Sequence, residues 1–289
     1  MKPGSFMMLI LWLSFGNLFS HNLMENMANY FDKQPFGLST ISNLLSDHEA
    51  FSQDIPLGGG KSTTKAIILS WNTWARGTTG GFKDNTPGFT LRTEPDADKR
   101  ISTSFVKIKN FMDKSSNAIV ALQEISDQDL KNLATFGADS SSSCVKNKGE
   151  SFNNCVVYKN TEFKINKNLS TDDIVSLNKL ISHKNIEQKD RYLHITLTHL
   201  KSGEIVDFVN VHFKWHSKPD EIVAAVSDYF KTCQGTCIIT GDFNQNLMKP
   251  EITHATKYVF ENGSISSQPN KQRKNETTDA IFYKLGSKK

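Results

Sequence analysis

The sequence contains no apolar stretch long enough to anchor the chain in a membrane. A transmembrane helix needs about 20 consecutive apolar residues, whereas small or polar residues interrupt the run from Phe6 to Phe19. Lys2 precedes this run and Ser20 follows it, a pattern typical of a secretory signal peptide. A buried N-terminal helix is the alternative, but no periodic polar face accompanies the run. We therefore expect residues 1–20 to be a signal peptide, and the mature protein to be secreted without stable membrane insertion.

Cysteine is scarce, and the spacing of the cysteines does not indicate a zinc site. The chain has only four, without histidine or cysteine partners at zinc-site spacing nearby. Four cysteines allow three pairings. Because short loops close most easily, we predict the two local disulfides, Cys144–Cys155 and Cys233–Cys237. Disulfides agree with an exported protein.

A strong net charge is also lacking, so charge does not identify a partner. The formal net charge is +4, from 34 basic and 30 acidic residues. This mild basicity permits a polyanionic substrate without demonstrating one. At 289 residues and 37% hydrophobic content, the chain can bury a sizeable core in one or two domains. The sequence has no internal repeats.

Two apolar segments end in side chains that can carry out chemistry. Ile238 to Asn244 reads as a strand that breaks at a glycine, with Asp242 and Asn244 on one side and Phe243 turned into the core. Asp207 to Phe213 alternates, which puts Phe208, Asn210 and His212 on one side of a strand and Val209, Val211 and Phe213 on the other.

Further strands and two amphipathic helices are predicted around these segments. The helices are expected over Asp98 to Ser116 and from Pro219 onwards. Ser140 to Ser143 is predicted to be a loop. The predicted strands are Glu49 to Ile55, Lys65 to Trp71, Ala118 to Leu122, the hairpin-like Cys155 to Lys159, Tyr192 to Thr198 and Asp279 to Leu285.

Six polar residues share one context, at a strand end or in the turn just after it. Acidic and amide oxygens suit a hard cation such as Mg²⁺, and a nearby histidine can protonate a leaving oxygen. Each residue alone has an ordinary explanation, such as a turn-forming aspartate or a hydrogen-bonded histidine. Their combination and order indicate a site. The six are Asn72, Glu124, His212, Asp242, Asn244 and Asp279.

The order of the motifs from Lys65 to the C-terminus resembles that of the endonuclease/exonuclease/phosphatase superfamily, which includes deoxyribonuclease I and the nuclease subunit of cytolethal distending toxin. The resemblance implies a single domain over residues 21–289, built as an α/β (α+β) four-layer sandwich of two mixed sheets flanked by helices. It also implies hydrolysis of phosphate esters with Mg²⁺, with Ca²⁺ or Mn²⁺ as alternatives. The motifs are Trp71-Asn72, Leu122-Gln123-Glu124, Asn210-Val211-His212, Gly241-Asp242-Phe243-Asn244 and Thr278-Asp279-Ala280-Ile281-Phe282.

The resemblance also implies a role for each matching residue. Glu124 would be the main metal ligand, with Asn72 as its neighbour. Asp242 would orient or deprotonate the attacking water, and Asn244 would hold the phosphate. His212 would act as an acid or as a hydrogen-bond donor to the phosphate. Arg191 could match a phosphate-contacting arginine.

One departure from the family pattern suggests a rearranged chain. Such proteins close with Ser-Asp-His on a last strand, and this chain ends before reaching it, whereas Ser46-Asp47-His48 stands near the N-terminus. We interpret this as a circular permutation, in which residues 38–55 supply the last strand and residues 56–64 a linker. His48 would then be catalytic with Asp279 as its partner, and Asp47 would join the metal site. Coincidence, in a truncated or inactive enzyme, is the alternative.

We therefore expect a secreted, monomeric, Mg²⁺-dependent nuclease that acts on DNA. The same chemistry serves phosphoinositides and sphingomyelin, so a phosphatase or phosphodiesterase acting on lipid headgroups is the second hypothesis. A noncatalytic binding protein on the same scaffold is the third.

Overall fold

The computed structural model of the protein describes residues 50–57, 64–73, 97–146, 152–169, 192–213, 219–244, 256–259 and 279–286. All of them belong to one compact unit, residues Thr40 to Lys289. Within these ranges, no helix has the length and apolar character needed to cross a membrane. The predicted signal peptide lies outside them.

Most of the described residues form strands. The helices are α1 (Ala97–Lys114), a 3₁₀ helix (Leu130–Phe136) and α2 (Pro219–Thr232). The strands are β1 (Phe51–Pro56), β2 (Lys65–Asn72), β3 (Ala118–Ser126), β4 (Ser140–Lys146), β5 (Phe152–Lys159), β6 (Phe163–Leu169), β7 (Tyr192–His199), β8 (Ile205–His212), β9 (Thr236–Asp242), β10 (Thr256–Val259) and β11 (Asp279–Lys284).

The strands form two mixed sheets. The first has the order β1-β2-β3-β5-β4, and the second has the order β10-β11-β9-β8-β7-β6. The pairs β2–β3 and β8–β9 are parallel, and each is joined through a segment that includes a helix. The other pairs are antiparallel. Both parallel pairs are nearly continuous in buried residues, as expected for strands covered on both faces.

Alternation along the strands builds three hydrophobic layers. On β8, Phe208 points into the layer between the two sheets, whereas Val209, Val211 and Phe213 point to the outer layer under α2. Residues of β2, β3 and β5 contribute in the same way to the inter-sheet layer and to a second outer layer under α1. The order is therefore helix, sheet, sheet, helix. This confirms the predicted four-layer sandwich and the predicted sides of the β8 strand.

Each helix covers its sheet with one apolar face. The buried hydrophobic residues of α1 are Ile101, Phe105, Ile108, Phe111 and Met112, at the spacing of a helical stripe. Helix α2 has Asp220 in its first turn and Lys231 in its last, which complements the helix dipole. Lys284 of β11 also donates to the carbonyl oxygens of Phe230 and Cys233, at 2.7 and 3.1 Å, and so caps the end of α2.

Both predicted disulfides, Cys144–Cys155 and Cys233–Cys237, are present. The first joins directly opposite residues of β4 and β5. The prediction of a loop at Ser140 to Ser143 is wrong, because these serines begin β4. Serine is common in turns, and pairing with the buried strand β5 determines the conformation here. Sequence patterns also missed β6 and β10.

Candidate functional site

The candidate site lies at one edge of the sandwich, where β2, β8 and β9 end, β11 begins, and β3 carries Glu124 two residues before its own end. Asn72 of β2 is in register with Gln123 of β3, immediately before Glu124. In the second sheet, His212 of β8 and Asp279 of β11 are each in register with Asp242 of β9. The predicted gathering of these strand-end residues at one edge is thus present in the structure.

Asn72 is the centre of the polar contacts. Its side chain is fully buried, and its Nδ2 donates to Glu124 Oε1 and to Asp242 Oδ2, both at 3.1 Å. His212 Nε2 approaches the same two carboxylates, at 3.5 Å from Glu124 Oε1 and 3.8 Å from Asp242 Oδ2. Because Asn72 and Glu124 belong to one sheet and His212 and Asp242 to the other, the site exists only where both sheets meet.

Asp242 is held in a fixed orientation by the turn that follows it. The side chain is 1% exposed. The backbone N–H of Asn244 donates to its Oδ1 at 2.7 Å, and Asn244 Nδ2 donates to its Oδ2 at 3.2 Å. The same Nδ2 also donates to the carbonyl oxygen of Phe213 at 2.8 Å. Phe243 points into the core and is fully buried, as predicted.

Two of the residues at the site have a positive φ, a backbone conformation that residues other than glycine rarely adopt. Glu124 has φ 58° and Asn244 has φ 52°, and among the described residues no other non-glycine residue has a positive φ. Such conformations cost of order 1–3 kcal/mol each and cluster at functional sites. Both of them aim a side chain at the same group of polar atoms, which is a structural reason to treat this edge as a site.

Gly241 allows the second sheet to close next to the site. It has φ 134°, and a Cβ atom there would lie 2.0 Å from the carbonyl oxygen of Val211 on β8. Any other residue would push β9 away from β8. The glycine of the Gly-Asp-Phe-Asn motif therefore serves the close approach of the two strands that carry His212 and Asp242.

An aromatic side chain that sequence analysis missed lies against the histidine. The rings of Phe152 and His212 have centroids 5.4 Å apart and are tilted by 45°. Phe152 begins β5 and is partly exposed. Its position follows from the antiparallel pairing of β5 with β3. The sequence around Phe152 is polar and carries no signal that would have identified it.

Three predicted site residues, Asp47, His48 and Arg191, lie outside the described residues, and their roles stay predictions. Asp279 is described, with its Cα in register opposite that of Asp242. The roles assigned to Asn72, Glu124, His212, Asp242 and Asn244 also stay predictions, although these five side chains are brought together.

The carboxylates at this edge are of the kind that hold a hard divalent cation, whereas the Asn72 atom that faces them is its nitrogen. The carboxylates of Glu124 and Asp242 both accept from Nδ2 of Asn72, and two like charges held this close together favour a bound cation. Carboxylate and amide oxygens are the ligands that Mg²⁺ prefers. Within the described ranges, no group of three or more acidic, histidine or cysteine side chains is arranged around a common metal position.

Sequence comparison gives no relative: no family model and no curated protein matches this chain. Solved structures do match. An endonuclease/exonuclease/phosphatase from Bacteroides vulgatus is 12% identical, with a TM-score of 0.45 over 66% of this chain and 82% of that one. A humanized D. rerio TDP2 is 14% identical, with a TM-score of 0.49 over 77% and 83%. A Bacteroides thetaiotaomicron mannosyl-6-phosphatase is 14% identical, with a TM-score of 0.49 over 75% and 84%.

Such low identities and TM-scores say nothing about the activity of this chain. The solved structures that it resembles nevertheless include proteins of the endonuclease/exonuclease/phosphatase family, the family that its motifs resemble.

Proposed function

We propose that this protein is a secreted, divalent-metal-dependent phosphodiesterase that hydrolyses DNA. The observation that carries the proposal is that four strands from two sheets bring together the side chains of Asn72, Glu124, His212 and Asp242. Asn72 is hydrogen-bonded to both carboxylates, and His212 Nε2 lies within 3.8 Å of both. Carboxylates can hold a metal ion or accept a proton from water, and an imidazole can donate a proton, so these groups can together hydrolyse a phosphate ester.

Asp242 is the residue best placed to act on the attacking water. Hydrogen bonds from Asn72 and from the backbone of Asn244 fix its carboxylate, so it can orient a water molecule and accept its proton without first reorganising. His212, in contact with the same carboxylates, can donate a hydrogen bond to a phosphate oxygen or a proton to the leaving oxygen. Asn244 orients Asp242. We assign it the further role of holding the phosphate, for which its Nδ2 would exchange one of its present hydrogen bonds, to Phe213 or to Asp242.

The metal would be held by Glu124, with Asn72 beside it, and by Asp47 if the permutation is correct. An ion bound there would supply a positive charge that neutralises the phosphate and the developing leaving oxygen. Asn72 donates to both carboxylates through its nitrogen, and turning its carboxamide over would present an oxygen instead.

The pairing of β1 supports the proposal that the chain is permuted. Phe51 pairs with Ser70 and Pro56 with Lys65, so β1 starts beside the end of β2 that carries Asn72 and runs away from the site. Ser46-Asp47-His48 precedes Ala50, which is buried beside this end of the sheet. The backbone N–H of Leu57 donates to the carbonyl oxygen of Thr64 at 2.9 Å, which closes the connection from β1 to β2.

The experiment that tests the function incubates the purified full chain separately with plasmid DNA, RNA, phosphoinositide vesicles and sphingomyelin vesicles. Each substrate is tested with Mg²⁺, with Mn²⁺, with Ca²⁺ and with an excess of chelator. We expect nicking of the plasmid with Mg²⁺ and no nicking in chelator. Degradation that persists in chelator would overturn the mechanism. Cleavage of a lipid but not of DNA would show that the substrate is a lipid headgroup and not DNA. Failure to cleave any substrate with Mg²⁺, Mn²⁺ or Ca²⁺ would favour a binding protein.

A further inference from the structure

The strand that carries Glu124 has a β-bulge at that residue. In the pairing of β3 with β5, the register shifts between Leu122 and Ile125, so β3 accommodates one extra residue there. Bulges of this kind re-aim side chains, often next to active sites. Glu124 lies inside the bulge with φ 58°, a conformation that persists only where the surroundings impose it.

A side chain from the opposite sheet is hydrogen-bonded to this bulge. Asn210 lies on β8, two residues before His212, and is fully buried. Its Nδ2 donates to the carbonyl oxygens of Leu122 and Cys155, both at 2.9 Å, and its Oδ1 accepts from Gln123 Nε2 at 2.6 Å. One side chain thus bonds both strands at the point where their register shifts.

These three hydrogen bonds fix which way the carboxamide of Asn210 faces. The carbonyl oxygens of Leu122 and Cys155 only accept, so they require the nitrogen, and the two hydrogens of that nitrogen are both used. Gln123 donates, so it requires the oxygen. Reversing the amide would place oxygen against two carbonyl oxygens and nitrogen against nitrogen, with no hydrogen bond satisfied.

We propose that Asn210 is a positioning residue that holds the bulge of β3 and so keeps the Glu124 carboxylate next to His212. The inference rests on the proposed function, because it assigns to Asn210 the placement of the main metal ligand. Asn210 and His212 share one face of β8, so the strand that delivers the histidine also determines where the carboxylate of the other sheet lies. Without the carboxamide, Glu124 is expected to relax towards ordinary strand geometry and away from His212.

The test compares the wild-type chain with Asn210→Asp, which has the same shape but places an oxygen against the two carbonyl oxygens. Hydrogen exchange of the peptide containing residues 122–126 is measured in metal-free protein, and Mn²⁺ affinity by calorimetry. We expect faster exchange confined to this peptide and Mn²⁺ affinity lowered about 10- to 100-fold. With bis(4-nitrophenyl) phosphate, kcat should fall by a similar factor, with a smaller change in KM.

Asn117→Ala is the matched control. Asn117 also makes a hydrogen bond between the sheets, in which its Oδ1 accepts from Nε2 of buried His199 at 3.3 Å, but it precedes β3 at the end remote from Glu124. The control should lower the melting temperature and leave exchange at residues 122–126 and Mn²⁺ affinity unchanged. If Asn210→Asp does not fold, Asn210→Ser, which is smaller and keeps one donor, serves for the same comparison.

The result that overturns the inference is exchange at residues 122–126 that is the same in the Asn210 variants as in the control. Wild-type protein that neither binds Mn²⁺ nor hydrolyses the ester would instead overturn the proposed function. The exchange comparison would still decide whether Asn210 holds the bulge, because it is made without metal or substrate.

Discussion

Asn72 separates two carboxylates that would otherwise repel each other. It is fully buried and donates one amide hydrogen to Glu124 and one to Asp242. Hydrogen bonds to charged groups contribute more to stability than neutral ones, so this carboxamide stabilises the metal-free site. In the proposed mechanism, it is also the residue that a bound ion would most directly affect.

Asn72→Asp should therefore make the fold depend on a divalent cation. The substitution removes both donors and adds a third carboxylate, so without metal we expect a loss of about 2 kcal/mol or more in the free energy of unfolding. Added Mg²⁺ should restore more stability to the variant than to the wild type. Thermal unfolding with Mg²⁺ and with chelator measures both effects. A variant as stable as the wild type in chelator would contradict this account of Asn72.

His199 lies far from the site and makes stability depend on pH. It is fully buried, with Ser202 Oγ at 2.8 Å from Nδ1 and Asn117 Oδ1 at 3.3 Å from Nε2. Burial lowers the pKa of His199 from its ordinary value of 6.5, against the opposing effect of the nearby Glu162 carboxylate. The neutral ring is therefore the form that the fold accommodates.

The direction in which stability changes with pH follows from proton uptake by His199. The unfolded chain takes up a proton at His199 near its ordinary pKa of 6.5, and the folded chain only at lower pH, so stability falls as the pH falls below that value. In His199→Gln this loss should be smaller. Urea unfolding of both proteins at about pH 7.5 and about pH 5.5 provides the comparison, and other titrating groups cancel because both proteins contain them. Equal losses would show that His199 does not contribute.

Strands β8 and β9 pair directly beside the site, because they carry His212 and Asp242. These strands are parallel neighbours, and Gly241 lies directly against the backbone of Val211. The two residues that follow in register are His212 and Asp242. A change in the spacing of the two strands at Gly241 is therefore expected to displace His212 and Asp242, which are the next residues along each strand.

Gly241→Ala should be severely destabilising. The added Cβ would overlap the carbonyl oxygen of Val211 at 2.0 Å, in a backbone conformation that alanine avoids, so we expect a loss of about 3 kcal/mol or more. Gly203→Ala is the matched control, because Gly203 has φ 69° but no atom within 4 Å of its added Cβ. Its loss should be about 1 kcal/mol. Both losses are measured by urea unfolding. Equal losses would mean that the positive φ alone, and not the contact with Val211, explains why position 241 needs glycine.

Sequence patterns predicted the elements whose signal is contained within a few residues. Helix α1, the start of strand β3 and the alternation on β8 all follow from local spacing of apolar residues, and they are where they were expected. Strand β3 was predicted to end at Leu122 but continues to Ser126. Strand β4 was missed because four serines have no apolar period, and its pairing partner β5 is what makes it a strand. The bulge in β3 was missed for the same reason, since it depends on Asn210 in the other sheet.

The candidate site was predictable to a similar extent. Strand-end residues such as Asn72, Glu124 and Asp242 could be identified from the sequence, because a polar residue after an apolar strand is visible there. Phe152 could not, because its contact with His212 depends on how the two sheets face each other. The positive φ of Glu124 likewise has no signature in the residue type.

On the scale of the whole molecule, the site depends on both sheets and, in the proposed permutation, on both ends of the chain. Strand β11 starts opposite Asp242 and runs away from it, and β1 starts beside the end of β2 that carries Asn72. The two strands thus begin at the same edge of the sandwich, one in each sheet. This arrangement is what the permutation requires if His48 and Asp279 are to act together.

His48→Ala should lower phosphodiester hydrolysis about 10²- to 10⁴-fold, the usual contribution of a positioned acid or base. The melting temperature should stay close to that of the wild type. His21→Ala, in the same N-terminal part of the sequence but outside Ser46-Asp47-His48, should have full activity. Turnover and thermal unfolding of the three proteins are measured side by side. Full activity in His48→Ala would refute the permutation but not the site formed by Asn72, Glu124, His212 and Asp242.

The most direct test of the central claim is plasmid nicking by the wild type and by Asp242→Asn, with Mg²⁺ and with chelator. Asp242→Asn keeps the shape of the side chain and removes its charge. The account predicts Mg²⁺-dependent nicking by the wild type, a rate about 10²- to 10⁴-fold lower in the variant, and no nicking by either protein in chelator. A variant that nicks DNA as fast as the wild type, with both proteins folded, would contradict it.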